Sequence, residues 1–461
     1  MQQDRQKSLG TESIPKLLLK FSVPAIVGMM VNALYNIVDR MYIGHIKDVG
    51  QYAITGVGIT MPIMTIIMAF GMLVGIGTSA SISIRLGQKK RDEAENILGN
   101  AFTLLLILSV TITVFGIIFG NSILDLFGAS ENTVQYAKEY INIIFFGTIF
   151  NMMSFGLNHS IRAEGNPKIA MYSMLIGAIM NTVLDPIFIF TFNLGVKGAA
   201  IATVLSQVAT AIWVLKYFTS KNSVLKLKVA NMKLNKKLVL SIFAIGVSPF
   251  SMQLAASVVQ VISNTALRTH GGDLAIGAMT AISSIAMIFL MPIFGINQGC
   301  QPIIGFNYGA KQYKRVVDTV KYAVMAATSI VVVGFLVVQF FPDAVIGLFN
   351  NDEELLSIGR VGIRIYLAML PVIGFQIISA NYFQSIGKAK ISMLLSLLRQ
   401  VILLIPLLLI LPNILGLTGV WLSGPIADGL SSIITAILFY KEVRLLHLSH
   451  EESFREGLNN A

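Results

Sequence analysis

Apolar residues in this chain run in long unbroken stretches, with the polar residues gathered between them. Twelve stretches predict helices at roughly 16–42, 52–82, 96–120, 133–156, 168–192, 198–218, 238–266, 274–305, 318–341, 356–384, 391–411 and 418–440. Each approaches or exceeds the roughly 20 residues that cross a hydrocarbon core. An unpaired peptide group is costly in lipid, so only helices or closed barrels can span it. Barrel strands are about ten residues long and alternate in polarity, whereas Ala101 to Ile118 shows no alternation. An all-α polytopic membrane protein with twelve transmembrane helices is predicted.

The pattern repeats. A shift of 222 residues lays Arg85-Leu-Gly87-Gln-Lys89 on Asn307-Tyr-Gly309-Ala-Lys311, and Gly165-Asn-Pro-Lys168 on Gly387-Lys-Ala-Lys390. A shift of 221 lays Leu194-Gly195 and Gly198 on Leu415-Gly416 and Gly419. A duplicated chain with an even number of spans per half gives parallel repeats, an arrangement used by secondary transporters. The expected organisation is an N-terminal six-helix bundle at 1–220, a linker at 221–237, a C-terminal six-helix bundle at 238–445 and a tail at 446–461.

Composition agrees, with 55% hydrophobic and 12% charged residues. The net charge of +11 would suit a nucleic-acid partner, but its distribution assigns it to topology. On the side of the N-terminus lie 26 of the 34 Lys and Arg residues; seven lie on the other side, and Arg399 falls inside a span. The positive-inside rule then places both termini in the cytoplasm of a multi-pass protein of the inner (plasma) membrane. A single cysteine, Cys300, excludes a disulfide framework and a Cys-based metal site.

Motifs for enzymatic chemistry are missing. The chain has no G-x-x-x-x-G-K-[ST] phosphate loop, no H-E-x-x-H and no Ser-His-Asp nucleophile arrangement. Gly71, Gly75 and Gly77 sit inside an apolar span, where small residues permit close helix packing. The expectation is a protein that is not an enzyme and carries no cofactor.

Ionisable residues at membrane depth are costly and mark function by default. Four are present: Asp39, Asp185, Arg399 and Asp428. Asn32, Tyr35, Asn36 and Asp39 form one polar stripe at helical spacing on the first span. Asn181 and Asp185 share a face of the fifth, and Pro186, lacking an N–H, frees the carbonyl of Thr182. At about 1.5 Å per residue, Asp39, Asp185 and Thr203 all fall in the outer part of the N-terminal half. Two carboxylates at one depth need a proton or metal cation between them, so the cluster is expected to bind H⁺ or Na⁺. Arg399 and Asp428 each lie near the midplane, and an ion pair between them is expected.

The strings Asn32-Ala-Leu-Tyr-Asn-Ile-Val-Asp39, Asn181-Thr-Val-Leu-Asp185-Pro186 and Gly198-Ala-Ala-Ile-Ala-Thr203-Val-Leu-Ser-Gln207, with the duplication, resemble the multidrug and toxic compound extrusion (MATE) family in its DinF-like branch. The resemblance covers essentially the whole chain. It implies a V-shaped pair of bundles and antiport by alternating access, in which H⁺ or Na⁺ drives export of amphipathic, often cationic drugs. It also implies a role in antibiotic resistance. It further implies cation coupling at Asp39, Asn181, Asp185, Thr203, the Ala199 carbonyl and Asn36, with Asp39, Asn181, Asp185 and Thr203 as metal ligands if the ion is Na⁺. Tyr35, Met152, Gln207 and Arg399 are the candidate substrate contacts. The other main branch carries acids in helices seven and ten, where this chain has Gln253 and Asn381. The expected partners are small amphipathic molecules and the lipid bilayer, the expected state a monomer, and no nucleic acid is expected. The alternative reading is a lipid-linked oligosaccharide flippase of the same superfamily, which would need cavity-facing cations such as Arg399.

Overall fold

The computed structural model describes residues 2–47, 49–127, 131–347 and 353–459. Among them the regular structure is helical, with no strand. A short helix, Gln2–Thr11, precedes the long ones. These are α1 (Ile14–Gly44), α2 (Gly50–Gly87), α3 (Arg91–Asp125), α4 (Val134–Ala163), α5 (Pro167–Thr191), α6 (Gly195–Thr219), α7 (Lys236–Gly272), α8 (Leu274–Gly309), α9 (Tyr313–Phe340), α10 (Glu353–Tyr366 with Leu370–Ser385), α11 (Ala389–Leu415) and α12 (Leu417–Leu446). All but α10 are single helices long and apolar enough to cross a membrane; α10 is a pair bent by 47°. Gly272, at φ 66°, separates α7 from α8.

The duplication is written in the backbone. Lys89 and Lys311 both adopt left-handed φ, at 62° and 59°; so do Gly165 and Gly387, at 98° and 79°. Each closes a helix. The amide of the next residue reaches back five positions, from Lys90 to the Arg85 carbonyl (2.9 Å), Asn166 to Ile161 (3.1 Å), Gln312 to Asn307 (2.8 Å) and Lys388 to Phe383 (2.9 Å). These are Schellman closures, which satisfy carbonyls that a helix end leaves open. They end α2, α4, α8 and α10, so the short repeated strings in the sequence are stop signals shared by the two halves.

By packing, the chain divides into two compact units, one of residues 1–9 and 27–250, the other of 10–26 and 251–461. The first therefore includes the opening turns of α7, and the second the opening turns of α1. Close backbone approach explains both assignments. A Cβ on Gly77 would stand 2.1 Å from the Ile242 carbonyl oxygen, and one on Gly246 1.7 Å from that of Leu73, so α7 lies directly on α2. In the second unit a Cβ on Gly299 would stand 2.5 Å from Ser22 Oγ, and one on Gly295 2.4 Å from Ile26 Cγ1. Gly77 and Gly299 are 222 positions apart. Each repeat thus reserves a glycine on its second helix for the opening turns of another helix, as expected where lipid removes the hydrophobic drive for helix association and packing must supply it.

The linker is a docked strap in the first unit. Glu164 accepts hydrogen bonds from the Tyr217 hydroxyl, Ser223 Oγ (2.9 Å) and the Leu225 amide (3.1 Å). Glu95 accepts from the Lys226 amide (3.3 Å) and pairs with Lys228. Asn100 accepts from the Asn235 amide at 2.7 Å and donates to the Lys233 carbonyl at 3.2 Å, while Thr103 donates to the Met232 carbonyl at 2.7 Å. Buried backbone polar groups must find partners, and α3, α4 and α6 supply them here.

Candidate functional site

The polar cluster in the first unit is assembled where α5 ends and α6 begins. Pro186 has no N–H to offer the Thr182 carbonyl, and the backbone behind it widens into a π turn over Ile187–Thr191, closed by the Phe192 amide on the Ile187 carbonyl (2.9 Å). Asn193 and Gly195, both at positive φ, then reverse the chain. Gly198 lies against the π turn, since a Cβ there would stand 2.6 Å from the Phe188 carbonyl carbon. Ala199, fully buried, comes next, and Thr203 follows one turn later. This local geometry sets α6 beside α5. Asn181 Nδ2 donates to Asp185 Oδ1 at 3.1 Å and to Thr203 Oγ1 at 3.3 Å.

Asp39 of α1 completes the cluster. Its carboxyl group lies within hydrogen-bonding reach of Asp185. Asp39 is 9% exposed, Asp185 0% and Asn181 1%. Among the described residues Asp39 Oδ1, Asp185 Oδ2 and Asn181 Oδ1 are buried acceptors with no hydrogen-bond donor. Two facing carboxylates with unsatisfied lone pairs cannot both remain charged and bare in such a place. A shared proton, or a hard cation ligated by oxygen, offsets the repulsion and the desolvation. No group of three or more His, Cys, Asp or Glu side chains that could hold a metal ion occurs among the described residues.

The other residues singled out by the sequence divide. Tyr35 is half-buried beside Asp39 and Asp185, close enough to feel both charges. Asn36 is exposed, with its amide donating to the Asn32 carbonyl at 2.7 Å. Gln207 lies one turn below Thr203; its Oε1 is buried without a partner and is 3.2 Å from where a Cβ on Gly147 would stand. Met152 is fully buried in α4. Arg399, in the second unit, pairs with Asp428 as expected. The three glycines Gly71, Gly75 and Gly77 are packing positions, facing Phe155, Gly156 and Ile242.

Tyr140 carries no sequence signal. It is 4% exposed on α4, and its hydroxyl reaches Thr203. Tyr136 stands four residues earlier on the same face of α4, and nothing in the sequence separates the two, so only the crossing of α4 over α6 singles out Tyr140. The second unit repeats the scaffold without the acids: a π segment at Leu398–Leu404, Gly416 at φ 60°, and Gly419 pressed on Leu411.

Two repeats of membrane-length helices, with a buried oxygen cluster in one, are the architecture of a membrane transporter. The chain belongs to the MatE family, whose model matches residues 24–187 and 249–410, one copy on each repeat. It is 28% identical over 428 residues to the multidrug export protein MepA of Staphylococcus haemolyticus, covering 93% of this chain and 94% of that one. It is 29% identical to MepA of Staphylococcus aureus strain N315, over 92% of this chain and 93% of that one. Among solved structures, a MATE protein in a bent conformation matches with TM-score 0.91 and 26% identity, over 97% of this chain and 99% of that one. A MOP superfamily transporter from Pyrococcus furiosus matches with TM-score 0.89 and 27% identity, over 95% and 98% of the two chains.

Proposed function

We propose that the chain exports amphipathic, often cationic compounds across the plasma membrane in exchange for H⁺ or Na⁺, by alternating access, as a monomer with both termini in the cytoplasm. The observation that carries the reading is the pair Asp39 and Asp185, buried within reach of each other with unsatisfied oxygens. Such a pair has high affinity for one cation and releases it only when water or a second charge enters, which is what coupling requires. Asn181 and Thr203 supply further oxygens and the Ala199 carbonyl lies a turn away, whereas Asn36, exposed and bonded to the Asn32 carbonyl, stands outside the cluster. Tyr35 and Gln207 are the proposed substrate contacts in the first unit, of which Tyr35 stands beside the carboxyl pair; Met152 is fully buried and Arg399 is taken up by Asp428. Similarity to proteins named for multidrug export supports the substrate class, and the helix-one and helix-five strings support the DinF-like branch. The flippase alternative loses support because Arg399, on which it would rest, is neutralised by Asp428.

The test is dye export from proteoliposomes under an imposed H⁺ or Na⁺ gradient. Gradient-driven export that vanishes in Asp185→Asn is expected. Export that ignores both gradients would overturn the coupling.

A further inference from the structure

Arg162, in the last turn of α4, is 5% exposed. A guanidinium is charged at every accessible pH, and burying one without a counter-charge is costly enough to call for a reason. Yet its hydrogen-bond acceptors are neutral. It donates to Asn158 Oδ1 and to His159 Nδ1, the latter at 3.0 Å, and no carboxylate forms an ion pair with it among the described residues. Glu164, two positions on, is turned to the linker strap, where Tyr217, Ser223 and Leu225 hold it. By accepting from Arg162 through Nδ1, His159 is kept neutral, so the cluster bears one positive charge.

A file of polar groups, half-buried at Thr203 and Gln207 and buried from Thr210 to Asn158, runs from the carboxyl pair toward this cation. On α6, Thr203, Gln207 and Thr210 are spaced i, i+4 and i+7 along one face. Gln207 Oε1 has no partner, and Thr210 Oγ1 is 2.9 Å from where a Cβ on Gly177 of α5 would stand. One turn below Gly177, Ser173 accepts from Asn158 Nδ2, and Asn158 Oδ1 accepts from Arg162. Hydroxyl and amide groups in such a row can pass a proton or ligate a cation once water enters. An exchanger cannot tolerate that passage, because a cation that crosses without substrate dissipates the gradient.

We propose that Arg162 is an electrostatic plug: its uncompensated buried charge, held by Asn158 and His159, stops the cation bound at Asp39 and Asp185 from leaking along the interior of the first unit. The inference rests on the cation-coupled reading above. A fixed guanidinium beside a polar passage is a known means of excluding protons and cations.

The experiment is cation leak into proteoliposomes of the full chain, without substrate, under an imposed membrane potential, with a pH-reporting dye in one arm and a Na⁺-reporting dye in the other. The wild type stays as tight as empty vesicles. Arg162→Gln raises the leak of one cation by about tenfold or more, Arg162→Lys stays tight, and adding Thr210→Val to Arg162→Gln closes the leak again by interrupting the file. Asn158→Asp leaves the guanidinium in place but neutralises it with a carboxylate, so it also leaks, and it serves where loss of Arg162 impairs folding. Tight vesicles with both Arg162→Gln and Asn158→Asp, or an equal leak with Arg162→Lys, overturn the plug. Gradient-driven dye export by the wild type in the same vesicles tests the coupling separately, so failure of one reading is distinguishable from failure of the other.

Discussion

Removing one member of the Arg399–Asp428 pair should cost unequal amounts depending on which is removed. The Asp428 side chain is 5% exposed and that of Arg399 33%. Arg399→Ala strands a carboxylate in a place water does not reach, and breaking a buried pair in this way costs about 3–5 kcal/mol. Asp428→Ala leaves a guanidinium whose outer third can still find a polar environment, so the loss falls between the surface and buried limits, roughly 1–2 kcal/mol. For a unit of this size each kcal/mol moves Tm by about 2–4 °C. Arg399→Ala should then fall by roughly 6–20 °C and Asp428→Ala by roughly 2–8 °C. The double mutant has no stranded charge and should lose less than the sum, by about 1–3 kcal/mol. Thermal unfolding of the detergent-purified protein, followed by loss of the monodisperse chromatographic peak, measures all three. Additive losses, or a greater loss in Asp428→Ala, would refute the reasoning.

Asp39→Asn and Asp185→Asn keep shape and hydrogen bonding but cannot bind or release a cation; each should abolish coupled export at normal membrane expression, and drug resistance retained by either variant would count against the role. Pro186→Ala should return an amide to the Thr182 carbonyl and tighten the π turn, lowering apparent cation affinity in a flux assay; an unchanged ion dependence would show that the freed carbonyl does nothing. Gly246→Leu forces a side chain into the Leu73 backbone and should reduce the yield of folded protein, whereas Gly58→Leu, with nothing within 4 Å of its Cβ, should not. Glu164→Ala removes the acceptor for Tyr217, Ser223 and Leu225; trypsin should then cut at Lys226 or Lys228 faster than in the wild type, and equal cutting rates would mean that the strap holds without it.

Element type was legible in the sequence because lipid leaves a membrane-spanning chain one way to satisfy its backbone, so unbroken apolar runs translate directly into helices. The repeat was legible for a related reason: Gly87-Gln-Lys89 and Gly309-Ala-Lys311 are helix closures whose left-handed residues recur at one offset. Spacing alone put Asp39, Asp185 and Thr203 in the outer part of the first half, with Asn181 one turn from Asp185 on the same face, since rise per residue converts sequence number into height. Height says nothing about azimuth. That Asp39 meets Asp185 while Asn36 turns outward, and that Tyr140 joins Thr203, depends on how α1 and α4 are rotated against α5 and α6. The division of α1 and α7 between units could not be read either, because the glycines that permit it, Gly77 and Gly299, lie on the receiving helices and mark a contact only once the partner backbone is in place. The tertiary structure likewise decided the character of Arg162. In the sequence it is one basic residue among many on the terminal side, and only packing removes it from water without giving it a carboxylate.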